Sequence, residues 1–236
     1  PTQNSVKKLR ELGLQPDILV CRTEHSLNSD IKRKIALFCN VEKDAVIESI
    51  DAESIYDVPL LMQEEKLDKV VLRKLGLQDD TDLELKIWKK FLTRLKNPKH
   101  EIQIGLIGKY VELRDAYKSI AEAFIHAGAS NECKVEINWI HSEELNIKNA
   151  QKTLSKLDGI LVAPGFGDRG IDGKVVAVRY ARENNIPFLG ICLGMQCAVI
   201  EYGRNVLKLE NAHSTETKPG TVHPVIDIME EQKSII

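Results

Sequence analysis

Residues 185–197 read NIPFLGICLGMQC, and this stretch decides the fold. An apolar run, Ile186–Ile191, leads directly into Gly190-Ile191-Cys192-Leu193-Gly194 and then into a helical pattern. That order predicts a strand, a sharp turn and a helix, with a thiol at the apex. Glycines on either side of Cys192 remove Cβ atoms that would crowd it. The helix N-terminus places unpaired N–H groups and the positive end of its dipole beside the sulfur, which favours the nucleophilic thiolate. An arbitrary cysteine is more often a small buried residue. The G-x-C-x-G context reverses that preference, because glycines serve no obvious purpose around a core thiol.

Upstream of this stretch, strands alternate with helices. Ile102–Ile107, Lys134–Ile140, Gly159–Ala163 and Ile186–Ile191 are expected strands. Helices are expected from Asp115, as N-cap, to Ala127 with Gly128 closing, over Ile147–Leu157, and over Gly173–Asn184. This alternation indicates an α/β doubly wound parallel sheet, whose ligands bind at the carboxyl ends of the strands. Cys192 and the turn Pro164-Gly165-Phe166-Gly167 both fall at such ends. Residues 1–77 form an earlier unit, with strands at Asp17–Cys21 and Ala45–Ile50 and helices at Val6–Gly13, Asp30–Cys39, Ser54–Glu65 and Lys66–Leu75. These pieces are too few to enclose a parallel sheet, so partner strands are expected before Pro1. Residues 78–100 read as a charged linker, in which Leu83, Ile87, Trp88, Phe91, Leu92 and Leu95 recur at helical spacing. The first residue, Pro1, and the ending MEEQKSII suggest a piece of a longer protein.

The 236 residues are 43% hydrophobic and 29% charged, with a net charge of -2, so a general nucleic-acid or membrane surface is not indicated. No apolar run approaches the roughly 18 to 20 residues of a bilayer span. Five scattered cysteines without a secretory signal argue against a disulfide framework, and their spacing does not suggest zinc; a reducing cytoplasm fits.

A thiolate attacking an acyl group needs an oxyanion site. The backbone amides of Leu193 and of Gly165 or Phe166 are the candidate donors. It also needs a general base, usually histidine. The histidines are His25, His100, His126, His141, His213 and His223, and none has a positional claim.

The stretches GKYVELRDAYKSIAEA (108–123), LDGILVAPGFGDRG (157–170), ARENNIPFLGICLGMQ (181–196) and LENAHSTE (209–216) resemble the class I glutamine amidotransferases. With PTQNSVKKL, QPDIL and KIALFCNV in the first unit, the whole chain resembles the CTP synthase family. That resemblance implies the end of a P-loop-type synthetase domain (1–77), the linker (78–100) and an incomplete flavodoxin-like amidotransferase domain (101–236). It implies hydrolysis of glutamine through a cysteine thioester. Ammonia then displaces phosphate from the ATP-phosphorylated 4-oxygen of UTP.

By position, Cys192 would be the nucleophile, Gly165 and Leu193 the oxyanion amides, and Gln196 and Glu216 the glutamine ligands. Thr2, Gln3 and Lys34 would meet UTP or CTP, and Asp51 and Ala52 the adenine of ATP. Without the family, Glu216 reads as a loop carboxylate and Lys34 as a solvated helix lysine. The family often has two adjacent glycines in the oxyanion turn. Here Pro164 takes the first place and has no N–H, so only later amides can donate.

The resemblance further implies Mg²⁺ and ATP, CTP as inhibitor, GTP as activator and a homotetramer. It places the P-loop and metal carboxylates before Pro1 and the catalytic His and Glu after Ile236. The chain alone is therefore expected to lack synthesis and nearly all glutaminase activity. Two other readings stay open. One is a cysteine-elbow hydrolase or redox sensor; the other is a non-catalytic nucleotide-binding or filament-forming module.

Overall fold

A computed structural model describes residues 1–78 and 83–229. The chain divides into two compact units, Pro1–Leu92 and Thr93–Ile236.

In the first unit, α1 (Thr2–Glu11), β1 (Leu19–Thr23), α2 (Ser29–Cys39), β2 (Val46–Ile50), α3 (Val58–Glu64) and α4 (Leu67–Lys74) follow in order. The two strands pair in parallel from Leu19↔Val46 to Thr23↔Ile50. The Asn28 side chain accepts from the amides of Asp30 and Ile31 and so starts α2. Asn40, left-handed at φ 53°, ends it. The expected helix from Ser54 begins instead with a single 3-10 turn, Ile55–Asp57, and left-handed Lys66 separates α3 from α4. A polar network ties the strands to this helical end. The Glu65 carboxylate accepts from Lys32 Nζ at 2.6 Å and from the Glu48 amide at 2.9 Å. The helix expected in the linker is α5 (Lys86–Lys96). Its Trp88 donates to the Tyr56 carbonyl at 2.9 Å, whereas Ile87, counted on the apolar stripe, is 88% exposed. Asp79, Asp80, Thr81 and Asp82 of that linker lie outside the described residues.

The second unit has a four-stranded parallel sheet of β3 (His100–Gly108), β4 (Cys133–His141), β5 (Gly159–Val162) and β6 (Phe188–Gly190) in the order β4-β3-β5-β6. Numbered within the unit this is 2-1-3-4, the flavodoxin-like order, and the expected α/β class is the one observed. Helices α6 (Lys118–Ser130), α7 (Ala150–Leu154), α8 (Ile171–Glu183) and α9 (Leu193–Asn205) connect or follow the strands.

Side chains alternate along the strands, and the ends of the two central strands, β3 and β5, are buried on both faces. Leu106 and Leu161 pack with Tyr117 and Phe124, while Ile107, Ile160 and Val162 pack with Val175, Val178, Leu193 and Ile200. Between α8 and α9, the Arg182 guanidinium forks onto Glu201, which is 1% exposed, with N···O distances of 3.0 and 2.8 Å. A charge so buried needs this partner, because its desolvation is otherwise uncompensated.

Three local expectations change. Asp115 does not cap α6: it lies in a 3-10 turn, Arg114–Tyr117, and the helix starts after Tyr117 without a side-chain cap. The helix also runs through Gly128 to Ser130. A short parallel pair, β7 (His213–Ser214) with β8 (Pro224–Ile226), was not foreseen.

Candidate active site at the strand ends

The thiol elbow is present. Cys192 is exposed and stands at the N-cap of α9 with φ 54° and ψ −112°. A positive φ in a residue with a Cβ is strained and persists only where surrounding structure enforces it. The enforcement comes from the flanking glycines, for a reason other than the one expected. A Cβ on Gly194 would stand 2.1 Å from the Val162 carbonyl oxygen, and one on Gly190 within 2.6 Å of the Gly194–Met195 backbone. The glycines therefore let helix and strand backbones cross. The Ile191 amide donates to Val162 O at 3.1 Å and fixes the crossing. The other thiol on this helix, Cys197, is fully buried, and burial pushes its pKa up to about 11. Position alone makes one cysteine reachable and the other inert.

The turn Pro164–Gly167 follows β5 and packs on Leu193: a Cβ at Gly165 would lie 4.0 Å from Leu193 Cδ2. The amides of Gly165 and Leu193 donate to no carbonyl among the described residues. They are free donors beside the elbow, as an oxyanion site requires.

Sequence reasoning missed what lies beneath this turn. Lys109, the residue after β3, is buried and its ammonium donates to the Phe166 carbonyl. Lys174, on α8, is 0% exposed and donates to the Ala163 carbonyl at 2.8 Å. Burial holds the Lys174 pKa below the ordinary lysine value, and Lys109 adds to the lowering, while Cys197 and Cys192 oppose it. A signal was available. Ile171, Lys174, Val175 and Val178 form an i, i+3, i+4, i+7 stripe, so this lysine occupies a core-facing position.

Gln196 lies one turn after Cys192 on the same side of α9, half-buried, and its backbone N–H donates to the Cys192 carbonyl at 3.1 Å. Glu216 is exposed on the turn after β7. No hydrogen bond or ion pair joins it to Cys192, Gln196 or the 164–167 turn among the described residues. Nor does any histidine among them hydrogen-bond Cys192.

In the first unit, Thr2 and Gln3 open α1. Lys34 is exposed on α2. Asp51 follows β2 and takes Arg22 Nε at 2.8 Å, and Ala52 is half-buried beside it. Neither hydrogen bond nor ion pair links Lys34 to Thr2, Gln3 or Asp51 among the described residues. Among the described residues no group of three or more His, Cys, Asp or Glu could hold a metal ion. No helix among them is long and apolar enough to cross a membrane.

The segment that carries Glu216 contains a titratable lock. His213 is buried; its Nδ1 accepts from the Ser214 amide at 2.9 Å and lies 3.1 Å from Thr217 Oγ1. Burial, then the charges of Arg204 and Lys218, hold its pKa below the ordinary 6.5, with Asp172 opposing. A lowered imidazole pKa means the unfolded segment takes up its proton first. Stability is therefore full above about pH 6.5 and is lost as pH falls through the lowered value. Amide exchange over 211–218, corrected for intrinsic rates, is expected to quicken between about pH 7 and 5. His213→Asn should flatten that slope; an equally steep slope in the variant would place the titration elsewhere.

With this geometry in hand, likeness to known proteins becomes informative. The family description "Glutamine amidotransferase class-I" matches residues 112–234, more than half of the chain. The chain belongs to the class I glutamine amidotransferase family. This amidotransferase chain also matches "CTP synthase N-terminus" over residues 1–77. It is 64% identical over 235 residues to the CTP synthase of Cytophaga hutchinsonii and 57% identical over 241 residues to that of Methanocaldococcus jannaschii. Each match covers 100% of this chain and 44% of the relative, so the chain spans less than half the length of these synthases. Among solved structures, the glutaminase domain of Trypanosoma brucei CTPS with bound acivicin is similar. The TM-score is 0.53 at 41% identity, covering 56% of this chain and 51% of that one.

Proposed function

We propose that this amidotransferase serves a CTP synthase. It releases ammonia from glutamine at Cys192 for the amination of UTP, whose 4-oxygen ATP phosphorylates. The observation that carries the reading is the exposed Cys192 on a strained elbow beside two unpartnered amides. The likeness to CTP synthases along the whole chain supports the choice of acceptor.

The Cys192 thiolate attacks the glutamine carboxamide carbon, and the Gly165 and Leu193 amides receive the developing oxyanion. Collapse breaks the C–N bond, and nitrogen leaves as ammonia with the proton it takes up. Water then attacks the thioester, giving glutamate and restoring the thiol. Gln196, one turn beyond the nucleophile, and Glu216, suited to the substrate α-ammonium, hold glutamine.

In the first unit Thr2, Gln3 and Lys34 meet UTP or CTP, and Asp51 and Ala52 meet ATP. Mg²⁺, CTP inhibition, GTP activation, a homotetramer and a cytoplasmic location belong to the same proposal, as do functional limits at 1–77, 78–100 and 101–236.

The test is covalent labelling of the full-length protein with a glutamine-derived chloroketone, read by peptide mass spectrometry. Cys192 is expected to be the labelled thiol, with Cys197 spared and glutamine protecting. Labelling that glutamine does not slow, while iodoacetamide reacts equally well, would favour the hydrolase or redox-sensor reading.

A further inference from the structure

We propose that Lys109 and Lys174 are positioning residues that clamp the two ends of the Pro164–Phe166 turn and so aim its amide at the oxyanion; this rests on the glutaminase reading of Cys192. The two lysines come from different elements and reach the same turn from beneath. Lys174 holds the carbonyl of Ala163 and Lys109 that of Phe166. Only Pro164 and Gly165 lie between the held carbonyls, and the proline ring fixes one of the remaining dihedrals. A Cβ on Gly165 would meet Lys109 Cε at 3.4 Å and Lys174 Nζ at 3.6 Å, so the turn rests on both side chains.

The charges point the same way. Both lysines are buried, and neither has a carboxylate partner among the described residues. Buried cations are ordinarily paired. Apart from the Tyr110 ring, whose centroid is 5.4 Å from Lys109 Nζ, the groups that the two amines meet are the turn's own carbonyls. Lys174 also donates to Ala163 whether or not it is protonated, so the clamp does not depend on its charge state. The position is at the reversal of strand order: Lys109 follows β3 and Ala163 follows β5, the adjacent strands between which ligands of such sheets bind.

The experiment uses the full-length protein with Lys174→Met, Lys109→Met and Lys109→Arg. Three readouts are taken: deuterium uptake over residues 160–170, glutaminase kcat and KM, and the plateau rate of iodoacetamide alkylation of Cys192 at high pH. Alkylation at a methylene forms no oxyanion, so it reports on the thiolate alone.

The methionine variants are expected to exchange faster in the turn and to lose about 100-fold in kcat, the scale of one lost oxyanion donor. KM and the alkylation plateau should change little. Lys109→Arg should recover most of the rate, since guanidinium can also donate to Phe166 O. Unchanged exchange and kcat in both methionine variants would overturn the clamp. So would an alkylation plateau that falls as far as kcat, because the thiol itself would then be displaced. If Lys174→Met does not fold, the Lys109 pair decides alone. A wild-type protein without glutaminase activity, but with exchange that still responds to the lysines, would sink the glutaminase reading and leave the clamp as a structural fact.

Discussion

Gly194→Ala is expected to lower the melting temperature of the second unit by about 10 °C or more, corresponding to roughly 3 kcal/mol. The sign is the informative part. Alanine in place of a helical glycine ordinarily stabilises by about 1 kcal/mol. Here the new methyl would stand 2.1 Å from the Val162 oxygen, a backbone atom held by the pairing of β5 with β3 and β6. The carbonyl cannot retreat without loosening its bond to the Ile191 amide, and that bond forms the elbow. Gly167→Ala is the control. Nothing lies within 4 Å of its Cβ position, so only the strain of φ 78° remains, about 1 kcal/mol. Thermal melts followed by circular dichroism decide. A Gly194→Ala protein as stable as wild type would mean that helix and strand do not cross as closely as described.

The second large effect is on chemistry. Cys192→Ala in the full-length protein is expected to abolish glutamine-dependent CTP formation, by about 10⁴-fold or more, because the proposed thioester forms on its sulfur. Added ammonia should support UTP amination at the wild-type rate, since ammonia bypasses the thiol. Folding should be untouched, as the side chain is exposed and alanine tolerates the backbone no worse than cysteine. Cys192→Gly should go further and raise stability by about 0.5–1 kcal/mol, because glycine relieves the strain at φ 54°. Retained glutamine-dependent activity in either variant would remove Cys192 from the reaction and favour a module in which the cysteine is idle.

Much of this was readable from residue order. Gly159–Ala163 is a continuous apolar run because both faces of its strand are covered, and such runs mark a parallel sheet without any periodicity. The thiol between two glycines is readable because close backbone crossings admit no other residue, although the crossing, and not room for sulfur, is what requires the glycines. What stayed hidden depends on contacts that pattern does not carry. Lys174 and Lys109 carry no local mark of burial, since lysine is almost always solvated, and only the apolar stripe around Lys174 points inward. Asp115 has the chemistry of a cap, but a 3-10 turn carries the chain past it before the helix starts. The strands at 213–214 and 224–226 are too short to show alternation. Glu216 could be singled out only by likeness to relatives, since an exposed loop carboxylate has no distinguishing local pattern.

The one-sided pairing of β6 sets an order of assembly. Among the described residues its three positions bond only to β5, which in turn lies against β3. The thiol-bearing strand therefore has no template until the neighbouring donor turn is in place. A nascent or partly unfolded chain thus presents this cysteine on a loose segment, without the rigid amides that would make it a catalyst. On the proposed glutaminase reading, reactivity toward glutamine would follow the docking of β6 on β5, and its appearance during refolding would time that step.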